Sequence, residues 1–211
     1  MHAHLLRSVL AVCSEDRSTG PKVIDDVIRH AEVSRGTFYK HFGSLEEAIS
    51  EIGANQADEM TRGIADVYDV LSDPRHRLAT GLQLYLRRTM FDPNWGGFLA
   101  QVELLDPDNL MIQNMAADIR LGMAEGFYDL EDWAEGLDLL LGTKIEAIRR
   151  IIRDNLGPDY AERIAALILR GLGQPKADAT EIAAAAAAQL EVEAPKYLDW
   201  WTPPEGGTTE G

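Results

Sequence analysis

Apolar residues recur along the chain at spacings of three and four, and no stretch alternates apolar with polar over the length of a strand, so the pattern predicts an all-α fold. Leu5, Leu6, Val9, Leu10 and Cys13 share one face of a first helix, and the stretch from Asp16 to Pro21 interrupts it. Pro21 suits the first turn of a second helix with the stripe Val23, Ile24, Val27, Ile28 and Ala31. Ser34 is a good N-cap for a third, in which Phe38 and Phe42 stand four apart and turn inward together. Ser44-Leu45-Glu46-Glu47 has the form of a capping box that opens a fourth helix through Ala48, Ile49 and Ile52.

Further on, Asp73-Pro74 opens a helix that reaches about Phe91, Asp92-Pro93 ends it, and Asp106-Pro107 and Gly157-Pro158 punctuate later. Helices are predicted over 95–105, 110–125, 131–153, 160–172 and 177–193. Gly171-Leu172-Gly173 reads as a helix end, and the alanine run Ala183 to Ala188 as a strong helix former. Three segments follow: 1–52, 53–200, and a tail, 201–211, with too few apolar groups beyond Pro203-Pro204 to order itself.

At 211 residues and 45% hydrophobic, the chain has enough apolar material for a core, which excludes wholesale disorder. The net charge of -15 argues against a uniformly basic coat. It is unevenly placed. Up to Ser44, Arg7, Arg17, Lys22, Arg29, Arg35 and Lys40 slightly outnumber Glu15, Asp16, Asp25, Asp26 and Glu32, so the acidity lies beyond the first segment. Four of the five histidines, His2, His4, His30 and His41, also fall there. With one cysteine, no apolar signal at the N-terminus and no apolar run near the roughly 20 residues of a membrane span, the expected setting is cytoplasmic, with no membrane partner.

Lys22 to Phe42 has the shape of a helix-turn-helix: Glu32-Val33-Ser34 makes the turn, and Phe38 and Phe42 lock the second helix onto the first. The free face carries Ser34, Arg35, Gly36, Thr37, Tyr39, Lys40 and His41. Small residues near its start let the backbone approach a groove, Arg35 can pair with guanine, and the Thr37 methyl can touch thymine. Tyr39, Lys40, His41 and Lys22 suit phosphate.

The run Val33-Ser34-Arg35-Gly36-Thr37-Phe38-Tyr39-Lys40-His41-Phe42, followed by Gly43-Ser44-Leu45-Glu46-Glu47-Ala48-Ile49, closely resembles the DNA-binding signature of the tetracycline-repressor (TetR) family. The likeness spans about Leu5 to Ile52. It implies a transcriptional regulator, usually a repressor, that binds a palindromic operator as a homodimer and is released when a small molecule enters the C-terminal domain. Segment 1–52 is then the DNA-binding domain and 53–200 the regulatory and dimerisation domain. Three departures from the family pattern imply weaker DNA affinity: Glu32 stands where Gly is usual, Leu45 stands where a phosphate-contacting Lys is common, and no basic arm precedes the first helix.

Aromatic residues and methionines concentrate in the middle of the chain, where Tyr85, Phe91, Trp95, Phe98, Met111, Met115 and Tyr128 can line an adaptable, mainly apolar pocket, or simply be core. Gln101 and Asp118 are the polar groups expected to orient a ligand there. Leu137, Leu141, Ile145, Ile148 and Ile152, with Ile164, Ile168 and Leu172, form stripes wide enough to pair with a symmetry mate as a four-helix interface, unless the last helix covers them.

No nucleophile-elbow, phosphate-loop or zinc-protease pattern is present, so an enzyme is not expected. His2 and His4 lack further ligands for a metal, Cys13 reads as a small core residue, and no cofactor is implied. The alternatives to a regulator are a dimeric helical adaptor that has lost DNA binding, which Glu32 and Leu45 would favour, and, more weakly, a small helical enzyme.

Overall fold

The computed structural model describes residues 1–14, 23–53, 55, 60, 71–102 and 110–201, with only the backbone at 101, 102 and 110. Among them every regular element is helical. Helix α1 (His2–Ser14), α2 (Ile24–His30), α3 (Arg35–Tyr39) and α4, described over 45–53, make the N-terminal unit. Helices α5 (Pro74–Phe91), α6 (Pro93–Val102), α7 (Leu110–Ala124), α8 (Trp133–Asp154), α9 (Pro158–Gly171) and α10 (Lys176–Tyr197), closed by a 3-10 turn at Asp199–Trp201, make the rest. Pro21, Lys22, Asp106-Pro107 and the tail from 202 lie outside the described residues.

The local signals act as the sequence leads one to expect. Asp73 caps α5 by accepting from the Arg75 amide at 2.8 Å, and Pro74 fills the first helical position. Pro93 both closes α5 and opens α6, where Asp92 accepts from the Trp95 amide. Ser44 accepts from the Glu47 amide at 3.1 Å, and the Glu47 carboxylate reaches back to the Gly43 amide. Some boundaries depart: α2 starts only at Ile24, after Val23 as an extended and exposed N-cap, later than the first turn expected at Pro21; α3 stops at Tyr39, short of Phe42; and α10 runs past Glu193 through Pro195 to Tyr197, because a proline within one turn of a helix end forfeits few hydrogen bonds.

Helix α5 is the axis of the C-terminal unit, and Leu78 to Leu86 are all buried. A helix buried on every side must satisfy its polar groups internally: Gln83 donates to the Ala183 carbonyl of α10 at 2.9 Å, and the Thr89 hydroxyl to the Tyr85 carbonyl. Ala179, Ala183, Ala186, Leu190 and Ala194 form the buried stripe of α10, and their small side chains let it lie close to α5 and α9. Trp201 is buried against this unit, its ring tilted against Phe91 at 5.8 Å and Trp200 at 5.6 Å. Trp201, the first residue of the segment assigned to the tail, is thus part of the packed bundle.

The N-terminal core contains Leu5, Val9, Val12, Val27, Phe38, Phe42, Ala48 and Ile52, and also Phe98 from α6. Phe98 is the residue that seals α1 onto the second unit. Beside it, Gly97 lies so close to α1 that a Cβ there would stand 2.8 Å from the Ser14 carbonyl oxygen. The Ser14 hydroxyl lies 2.5 Å from both the Leu10 and the Asn94 carbonyl and donates its one proton to either, tying the helix end to α6.

Candidate functional site

Helix α3 is short, and its position depends on packing more than on its own propensity. Ser34 caps it by accepting from the Thr37 amide at 3.0 Å, and Phe38 beneath it is fully buried, tilted against Phe42 at 5.5 Å. Arg35, Gly36, Tyr39, Lys40 and His41 are left exposed on one side, with Thr37 partly so. Tyr39, 51% exposed, stands edge-on to Phe38, which orients its hydroxyl outward. The structure thus brings seven of the eight expected DNA-facing residues together; Lys22 lies outside the described residues.

Two details of this face were missed. The Arg35 guanidinium is paired with Asp25 of α2 at 2.7 Å, so the strongest base-reading group is held by a carboxylate that DNA must displace. Glu32 takes a φ of 53°, the left-handed conformation that a β-carbon disfavours by roughly 1–2 kcal/mol. The turn geometry calls for glycine, and Glu32 supplies a strained, exposed acid instead. Leu45 is partly buried against the N-terminal core, where a lysine's charge would be out of place. His2 stacks on Phe42 at 4.6 Å and lies 3.3 Å from Glu51, while His4 meets the Ala31 carbonyl, so both histidines serve packing.

The expected ligand-site residues separate. Tyr85, Trp95, Met111, Met115, Asp118 and Tyr128 are buried in the C-terminal unit around α5 and α7. Phe98 belongs to the N-terminal core, which corrects its assignment to the pocket: its place on the helix turns it toward α1. Phe91 is only half-buried and packs on Trp200 and Trp201, and the Gln101 side chain lies outside the described residues.

Charged groups lie deeper in this unit than the apolar pattern suggests. Asp118 of α7, 4% exposed, pairs with the Arg77 guanidinium of α5 at 3.0 Å. Burial pushes its carboxyl up to about 6, and Arg77 offsets part of that. Tyr128 reaches the same region because Gly126, at φ 76°, turns the chain back so that the Phe127 and Tyr128 amides both donate to the Gly122 carbonyl. Its ring then covers Gly122, where any Cβ would collide with it. Burial first, and then the charges of Asp118 and Asp73, push its phenol upward, so it is a neutral hydroxyl. Lys144 of α8 is fully buried with its ammonium 4.6 Å from the Tyr85 ring centroid. Its signal was present in the spacing, since Leu140, Leu141, Lys144, Ile145 and Ile148 mark one continuous inward face.

The expected dimer residues are mostly spent inside the monomer: Leu141, Ile145, Ile148, Ile164, Ile168 and Leu172 are each at most 9% exposed. Leu137 is partly buried, and Ile152 remains 40% exposed. The large apolar groups that α8 and α9 leave in solvent are Leu139, Ile152 and Leu167.

Among the described residues no group of acids, histidines and cysteine could hold a metal, and no helix is long and apolar enough to cross a membrane. The family model described as tetracyclin repressor-like, C-terminal domain, matches residues 73–185, more than half of the chain. No curated protein matches it. Among solved structures, RolR in complex with the ligand resorcinol has a TM-score of 0.62 at 24% identity, over 86% of this chain and 92% of RolR. The fatty acid degradation regulator FadR from Bacillus halodurans gives 0.62 at 16% identity, over 82% and 97% of the two chains. A TetR-family transcriptional regulator from Pectobacterium atrosepticum gives 0.53 at 23% identity, over 81% and 93%. With the capped and exposed α3 ahead of the matched helical bundle, the chain belongs to the tetracycline repressor-like family of transcriptional regulators.

Proposed function

We propose that this regulator is a repressor that binds a palindromic operator as a homodimer and is released when a small, mainly apolar effector enters the C-terminal unit. The observation that carries this reading is the α3 face: a helix fixed from below by Phe38 and Phe42 and offering Arg35, Gly36, Tyr39 and Lys40 to a major groove. Arg35 reads a guanine once Asp25 lets it go, while Tyr39, Lys40 and His41 hold phosphates. The exposed Leu139, Ile152 and Leu167 supply the apolar surface through which α8 and α9 pair with a second copy. Two-fold pairing sets the two α3 helices roughly 34 Å apart, or a multiple of it. RolR, which shares the fold, holds resorcinol, and the buried aromatic and methionine residues around α5 and α7 make a comparable small, neutral effector a reasonable class here.

Release requires that the effector favour a state with its α3 helices misplaced, since only differential affinity moves the equilibrium. The contact of Gly97 and Phe98 with α1 is the route by which movement of α6 reaches the DNA-binding unit. The adaptor alternative draws on the Arg35–Asp25 pair and on Glu32, both of which oppose DNA contact.

The test is retention of the DNA upstream of its own gene across a salt series, with wild type, Arg35→Ala and Tyr39→Ala. Saturable, salt-sensitive binding to a palindrome that both substitutions weaken is the expected result. A folded dimer that binds this DNA no better than random sequence at low salt would favour the adaptor.

A further inference from the structure

Three polar side chains in the C-terminal unit are buried with their bonding capacity unspent. The Tyr128 hydroxyl, on a residue 5% exposed, and the Thr80 hydroxyl, on a residue fully buried, have no hydrogen-bond partner among the described residues. Among the described residues, Asp118 has its ion pair with Arg77. Two of these groups share one region: Asp118 and Gly122 are one turn apart on α7, and Tyr128 lies over Gly122, whereas Thr80 stands one turn beyond Arg77 on α5, away from the Asp73 and Arg75 end whose charges act on Tyr128. Asp118 is near enough for its charge to act on the Tyr128 phenol, yet the two do not bond.

Buried hydroxyls without partners are costly, so each calls for a reason, and a bound ligand that supplies the missing partner is one. The chemistry narrows which ligand. The charges of Arg77 and Asp118 cancel, so a net ion gains little. A second carboxylate would face Asp118, and a purely apolar body would leave both Asp118 and Tyr128 unmet. A hydroxyl can donate to the carboxylate and accept from the phenol at once. Met111, Met115, Ile119 and Tyr85 of the same core suit a flat hydrocarbon frame.

We propose that Asp118 and Tyr128 anchor a neutral, hydroxyl-bearing ligand of the phenol class, its hydroxyl standing between the carboxylate and the phenol on a ring held by the apolar core. This rests on the reading of the C-terminal unit as the effector site and adds a polar anchor to it. Arg77 acts here as a positioning group that keeps Asp118 ionised and oriented.

The experiment titrates full-length protein with phenol, toluene and benzoate by ligand-observed NMR, in wild type, Asp118→Asn and Tyr128→Phe, with a thermal melt of each variant. Wild type is expected to hold phenol at least about tenfold tighter than toluene and to ignore benzoate. Each substitution should bring phenol down to the toluene value while toluene binding stays unchanged, which also shows that the site is still folded. Equal binding of phenol and toluene by wild type, a phenol preference that survives both substitutions, benzoate as the tightest probe, or no binding of any of them would each overturn the assignment. Operator retention by the same samples separates the two readings. Phenol selectivity without DNA binding removes the regulator and keeps the anchor, while DNA binding without phenol selectivity does the reverse.

Discussion

Replacing Asp118 with Asn removes a charge from a place where burial disfavours it. The carboxyl, 4% exposed, is pushed by burial from its usual 3.8 up to about 6, with Arg77 recovering part of the loss. Between those values the native protein holds a proton that the unfolded chain has released. Stability therefore falls as pH rises through this window and is flat above it. The interval corresponds to about 3 kcal/mol. At pH 4 the protonated wild type and the neutral Asn variant should unfold at nearly the same urea concentration. At pH 7.5 the variant should be more stable by about 3 kcal/mol, other carboxylates cancelling between the two proteins. Paired urea titrations at pH 4, 5, 6 and 7.5, with no effector present, measure the difference directly. A difference that stays flat, or that turns against the variant as pH rises, would refute the reasoning. It would mean that the ion pair with Arg77 outweighs burial and holds the carboxyl below its usual value.

Glu32→Gly should raise stability by about 1 kcal/mol, because it relieves a left-handed φ, and should tighten DNA binding by removing an acid from the turn; urea unfolding and operator titration read the two effects, and a less stable variant would contradict the strain. Gly97→Ala pushes a Cβ against the Ser14 carbonyl and should cost about 1–3 kcal/mol in denaturant unfolding, whereas a neutral result would mean that α1 and α6 separate freely. The double variant Ile152→Asp, Leu167→Asp should sediment as a folded monomer with unchanged circular dichroism; persistence as a dimer would place the interface elsewhere.

Helix positions were legible because their ends carry local chemistry: Asp73 with Pro74, Ser34 with Thr37, and Ser44 with Glu47 act within a few residues of one another. What covers an apolar face was not legible. Periodicity puts Ile148 and Ile168 on apolar stripes but does not say whether the monomer or a second copy buries them, and the monomer does. The same blindness placed Phe98 with its neighbours in sequence when it belongs to the core that holds Val9 and Phe38. Buried charge is harder still, because Lys144 reads as a surface residue until the spacing of its neighbours is given more weight than its polarity. The Arg35–Asp25 pair joins two helices across the turn, a relation that no local pattern encodes.

Phe98 has a bearing on autonomy. Its helix lies in the C-terminal unit, yet its ring completes the N-terminal core. A fragment cut at residue 52 would lack that ring, and the loss of a buried phenylalanine, about 3–5 kcal/mol, is a large share of what so small a body has to spare. The reading head is thus a tenant of the regulatory bundle, and the two should melt together as one cooperative unit. Any molecule that firms α6 protects the head from proteolysis, even in a cell that contains no operator.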